Sequence, residues 1–133
     1  MSKNARMPMH PVIVNNSPLV ALWMLNHLPL LRELYTEVWT PQEVKKEFLG
    51  IAPIAREDAL KNAPWIRTFP QAAPQIPALP VKLNAGETAV IALAIEQNAR
   101  LVIIDEQQAK RYARHLGLPV KGTVKEKRVD WCY

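Results

Sequence analysis

The sequence predicts an α/β protein built on a parallel sheet with helices on both faces. Three observations point there. Leu101-Val102-Ile103-Ile104 is a short, unbroken apolar run that ends in a carboxylate, Asp105. Such a run suits a central parallel strand buried on both sides. Helical patterns flank it, Asn84 to Asn98 before and Glu106 to Leu116 after, the latter closing at Gly117. Strands alternating with helices imply βαβ units. Finally, a second apolar run, Val12-Ile13-Val14, leads into Asn15-Asn16-Ser17-Pro18 and not into a glycine-rich loop. That argues against a dinucleotide-binding Rossmann protein and against a P-loop enzyme.

The remaining elements follow in order. Residues 1–10 read as a flexible arm. Ser17 before Pro18 predicts a helix start, with a capping hydroxyl and then proline at the first helical position. That helix should pass Trp23 and stop near Asn26-His27. Pro29 opens a shorter one, through Tyr35. Glu37-Val38-Trp39 is a strand candidate. Thr40-Pro41-Gln42-Glu43 has capping-box spacing and starts a helix that ends at Leu49, with Gly50 as its C-terminal cap. Pro53 to Asn62 predicts another helix and Trp65 to Phe69 a strand. Residues 70–82 carry four prolines (70, 74, 77, 80) and read as an extended connector inside the domain. Val120 to Val124 is the last strand. The expected organisation is one domain over 11–124, with a basic and then aromatic tail over 125–133.

Composition sets outer limits. At 133 residues, 49% hydrophobic and 22% charged, the chain matches an ordinary globule with a real core. The net charge of +5 is uneven. From Arg100 onward eight Lys/Arg (100, 110, 111, 114, 121, 125, 127, 128) face four acids (105, 106, 126, 130). A basic flank suits a polyanionic partner, although many solvated surfaces look alike. The single cysteine, Cys132, excludes an intramolecular disulfide and fits a reducing compartment. No secretory signal pattern is evident, and the longest apolar run, Pro18 to Leu25, is far short of the ~20 residues that span a bilayer. The expectation is a cytoplasmic protein without membrane contact.

Four positions stand out as a possible site: Asn15, Glu47, Glu87 and Asp105. Asn15 and Asp105 each close an apolar strand, where open α/β sheets place their ligands. Glu87 opens the helix that leads into the central strand, and Glu47 lies beside the stripe of Val44 and Phe48. Hard oxygen donors gathered from separate segments suit Mg²⁺ or Mn²⁺. Each residue also has a plainer reading. Asp105, with Gln108 three positions on, has N-cap spacing, and Glu87 is placed to complete a capping box with Asn84. Glu47 has the look of a solvated helix carboxylate, and Asn15 of an ordinary loop-entry residue. His10, His27 and His115 show no ligand spacing; His115 joins Arg111 and Arg114 on a basic helix face.

In combination these segments resemble the PIN-domain family, closest to a small prokaryotic toxin-like branch that opens with strand, acid and Ser-Pro-Leu. The matching residues are Val12 to Leu19; Pro41, Val44 and Glu47; Leu83 to Glu87 with Ala89, Ile91, Ala92 and Ala94; Leu101 to Asp105; Ala109 to Arg111; and Leu116 to Val120 with Gly122-Thr123. The resemblance covers roughly residues 12–124. It implies a three-layer α/β/α fold on a mostly parallel five-stranded sheet, and a Mg²⁺- or Mn²⁺-dependent ribonuclease. Toxins of toxin–antitoxin pairs and homodimers are common in that family. By position, Glu47, Glu87 and Asp105 would be the acidic site and Ser17 a supporting hydroxyl.

Asn15 stands where the family places its first aspartate, which is a departure. It offers a carbonyl oxygen and no charge. One unit charge 4 Å from another is worth about 4 kcal/mol at an effective dielectric near 20, so the substitution bears directly on metal affinity. Three readings follow. One is a ribonuclease in which Asp105, Glu87, Glu47 and Asn15 hold the ion and Arg111, Arg114, Lys121 and Lys125 position the RNA backbone. Another is a degenerate fold that binds RNA or protein without cutting. The last is a subunit whose role is complex formation.

Overall fold

The computed structural model describes residues 10–70, 82–125 and 128–129, without side-chain detail at 124, 125, 128 and 129. The expected arm, the proline-rich connector and most of the tail therefore lie outside the described residues. The elements run β1 (Val12–Val14), α1 (Asn16–Met24), α2 (Pro29–Tyr35), β2 (Val38–Pro41), α3 (Gln42–Leu49), α4 (Pro53–Lys61), β3 (Ile66–Phe69), α5 (Ala85–Gln97), β4 (Leu101–Ile103), α6 (Gln107–His115) and β5 (Val120–Lys121). A separate two-residue hairpin pairs β6 (Val124–Lys125) with β7 (Arg128–Val129), antiparallel.

The five main strands form one sheet in the order β3-β2-β1-β4-β5, with every pairing parallel. The chain builds outward from β1 to one edge and then returns to β1's other side. The reversal falls between β1 and β4, where Val12, Ile13 and Val14 lie opposite Leu101, Val102 and Ile103. A crevice outside the carboxyl ends of two such strands is the general ligand position of doubly wound sheets.

Burial explains the apolar runs. Val12, Ile13 and Val14 are covered on both faces, as are Val102, Ile103 and Ile104. Helix α5 is buried on nearly all sides from Gly86 to Ala94, which suits its almost uniformly small and apolar sequence. Helix α6 is the opposite case: Ala109, Tyr112 and Ala113 face inward while Arg111, Arg114 and His115 are exposed. At the end of α3, Arg56 lies buried between the rings of Trp23 and Phe48, with its carbon 4.8 and 5.1 Å from their centroids. Its Nη1 donates to the Phe48 carbonyl at 3.0 Å, a cation closing the negative end of the helix that carries Glu47. Among the described residues no helix is long and apolar enough to cross a membrane.

Four boundary expectations are corrected. Asn15, not Ser17, takes the N-cap position of α1, so Pro18 is the third helical residue. Proline is tolerated there because the first-turn N–H groups have no intrahelical acceptor. Thr40 does not cap α3, which starts after Pro41; its hydroxyl donates to the Val14 carbonyl at 3.0 Å and ties β2 to β1. Asp105 is not the cap of α6, because Glu106 accepts from the Ala109 N–H at 2.9 Å. The last strand stops at Lys121, since Gly122-Thr123 turn toward Asp105.

Candidate functional site

The N-terminus of α5 is built around two carboxylates. Asn84 caps it: its side chain accepts from the Glu87 N–H at 2.7 Å, and Glu87 Oε1 accepts from the Asn84 N–H at 3.1 Å. The capping-box reading of Glu87 is therefore correct. The next donor, the Gly86 N–H, is taken by Glu47 Oε2 at 3.1 Å, from 39 residues earlier in the chain. Glu47 is not a solvated helix carboxylate. Glycine at 86 allows this close approach: a Cβ there would sit 2.7 Å from the Glu47 carboxyl carbon and the carboxylate would have to shift. Both anions lie at the positive end of the α5 dipole, which offsets part of their mutual repulsion.

Glu87 is 7% exposed. Burial raises its carboxyl above the ordinary value; the hydrogen bond from the Asn84 N–H opposes that, and the negative fields of Glu106 and Glu47 add to it. Glu106 thus belongs to the same electrostatic group. Nothing in its spacing announced this, since it reads as one more acid before a helix.

Asp105 follows β4 and is held by Thr123. Thr123 donates to it twice, from N–H to Oδ1 at 2.6 Å and from Oγ1 to Oδ2 at 2.7 Å. Thr123 is itself buried. In the sequence it stands out only within the block Gly122-Thr123; a hydroxyl facing an acid 18 residues away cannot be read from local pattern.

Asn15 is 4% exposed at the carboxyl end of β1, with its N–H bonded to the Ile103 carbonyl at 3.0 Å. Its side-chain Oδ1 is buried and has no hydrogen-bond partner. An N-cap asparagine ordinarily accepts from the second or third helical N–H. Here the third helical residue is Pro18, which has none, and no side-chain cap forms. The oxygen is left free at the strand switch point. Continuing the β1–β4 register places Asp105 one residue beyond the position opposite Asn15. The side-chain oxygens of Asn16 and Glu43 also hold buried atoms without partners.

Ser17 is exposed in the first turn of α1. Arg111 and Arg114 are exposed on α6, and Lys121 is half-buried on β5. The Lys125 side chain lies outside the description.

The structure thus joins Glu47 to Glu87 and puts Asn15 and Asp105 at the ends of adjacent strands. Among the described residues no group of three or more His, Cys, Asp or Glu is arranged to hold a metal ion. In donor kind the set still fits Mg²⁺ or Mn²⁺. It is all hard oxygen, and the orphaned Asn15 oxygen is a buried acceptor in need of a partner.

Comparison with known families finds that residues 11–125 match a PIN domain family, DUF3368. A search of curated proteins finds no match. Among solved structures, the chain is similar to a PilT N-terminus domain protein, SSO1118, from the hyperthermophilic archaeon Sulfolobus solfataricus P2. The two share 19% sequence identity at a TM-score of 0.57, over 84% of this chain and 85% of that one. A likeness at that identity concerns the fold.

Proposed function

The chain belongs to the PIN domain family, whose members are typically nucleases and generally metal-dependent, and from that premise we propose that it is a Mg²⁺- or Mn²⁺-dependent ribonuclease. The observation that carries this reading is the meeting of Glu47 and Glu87 at the N-terminus of α5, from distant parts of the chain. Burial, with the negative fields of Glu106 and Glu47, favours the protonated form of Glu87, and a bound cation would offset that cost. Glu47, Glu87, Asp105 and the neutral oxygen of Asn15 would hold the ion. When bound, it supplies Lewis-acid stabilisation of the charge that builds on a phosphodiester under attack.

The chain's own groups do the rest. Thr123 fixes the Asp105 carboxylate in one orientation, so no reorganisation is needed at the moment of reaction. Gly86 and Asn84 hold Glu47 and Glu87 by backbone donors. Arg111, Arg114, Lys121 and Lys125 attract the RNA backbone, and Ser17 offers a hydroxyl near Asn15. The basic last quarter of the chain suits a polyanionic substrate.

Incubating RNA with the protein and Mn²⁺ tests the proposal. Cleavage should stop in excess EDTA and in Asp105→Ala; cleavage that persists in both would overturn it. A second reading, an RNA- or protein-binding fold that has lost hydrolysis, is favoured by Asn15 alone. Under that reading wild type binds RNA without cutting it, and Asn15→Asp gains cutting. We extend the first reading to a toxin that acts in the cytoplasm as a homodimer and is restrained by an antitoxin protein. Growth arrest on expression, absent in Asp105→Ala, tests the toxin role.

A further inference from the structure

A lysine that the acidic constellation does not include stands beside it. Gly122, buried next to Thr123, has no Cβ, and the space a Cβ would take is bordered by two groups. Asp105 Oδ1 lies 3.2 Å from that point and Lys110 Nζ also 3.2 Å. The ammonium and the carboxylate are therefore no more than twice that distance apart. Gly122 thus leaves room for the two charges to face each other across its open Cβ position.

This placement is unusual for a surface lysine. Lys110 is the fourth residue of α6, at the positive end of that helix, where a cation is disfavoured. It is half-buried, unlike Arg111 and Arg114, and its side chain folds back toward the strand end. Any side chain at residue 122 would close the space in which the two charges face each other.

We propose that Lys110 contacts the phosphate of the RNA backbone at the Asp105 end of the site. The inference rests on the ribonuclease reading for its substrate class. An ammonium is a compact donor of up to three hydrogen bonds, suited to an anionic oxygen. Gly122 is the residue that lets it reach the site.

Fluorescence anisotropy with a short labelled single-stranded RNA in excess EDTA, across a range of salt, tests this without cleavage. Wild type, Lys110→Gln and Lys110→Arg are compared, with thermal unfolding as the check on folding. The expected result is about a tenfold loss of affinity in Lys110→Gln and a salt slope shallower by about 0.7, the value of one single-strand phosphate contact. Lys110→Arg should retain both. Unchanged affinity and slope in Lys110→Gln would overturn the inference and leave the ribonuclease reading intact. So would tighter Mn²⁺ binding in that variant with RNA binding unchanged, which makes Lys110 a counter-charge to Asp105. Lys110-dependent binding with no cleavage under any metal supports the inference and overturns hydrolysis. No RNA binding by wild type overturns the inference, and cleavage with Mn²⁺ then decides the ribonuclease reading separately.

Discussion

At Gly86, helix propensity and packing pull in opposite directions. Replacing a helical glycine by alanine ordinarily stabilises by about 1 kcal/mol. Here the added methyl would press on the Glu47 carboxylate. Gly86→Ala is expected to destabilise by about 1–3 kcal/mol in urea unfolding, as overpacking does. Combining it with Glu47→Ala should recover most of that loss, and a stabilised Gly86→Ala would show that Glu47 does not occupy this position. Glu87 gives a second prediction at this scale. Its folded carboxyl titrates above the ordinary value because it is buried, opposed by the Asn84 N–H and reinforced by Glu106 and Glu47. A raised acid favours the folded state most when protonated. Its contribution is fully present below the ordinary glutamate value and is lost as pH rises through the folded one. The stability of wild type relative to Glu87→Gln should therefore fall across that window in metal-free buffer, as read from urea midpoints; a rise would contradict the burial.

Elements meet the site through single hydrogen bonds between segments. Thr123 holds Asp105 by two of them, so the segment after β5 determines what the segment after β4 can do. Thr123→Val removes one bond to a charged group, a loss of about 1.5–3 kcal/mol. It should also lower cleavage, while Thr123→Ser keeps most of both. Thr40 links β2 to β1 through the Val14 carbonyl, one residue before Asn15. Loss of that bond in Thr40→Val should cost about 1 kcal/mol in urea unfolding. The helix patterns around these bonds were legible: Pro29, Pro53, Asn84 and Gly50 marked boundaries that the structure keeps to within a residue or so. Thr40 misled because a hydroxyl before a helix has the same spacing whether it caps that helix or bonds elsewhere. Only the neighbouring strand decides.

For the whole molecule, the strand order is what makes a site from these residues. Because β1 and β4 are neighbours, the ends of two segments nearly ninety residues apart open on one crevice. The crevice has one carboxylate fewer than the family pattern implies, because Asn15 is neutral. Asn15→Asp is expected to tighten Mn²⁺ binding at least tenfold by calorimetry, since one added charge near a divalent ion outweighs the repulsion it brings. Unchanged affinity would place the ion away from β1.

The sequence by itself determined the parallel α/β fold, the order of its elements and the four candidate oxygens, because burial writes apolar runs and caps write local spacing. It also implied the family, from the joint order of its blocks. Only the tertiary structure decided that Glu47 lies on the first turn of α5, that Thr123 rather than a helix end holds Asp105, and that no distant described group donates to the Asn15 side-chain oxygen. Those are choices among hydrogen-bond partners far apart in the chain, and a polar side chain carries no local mark of which partner folding will bring to it.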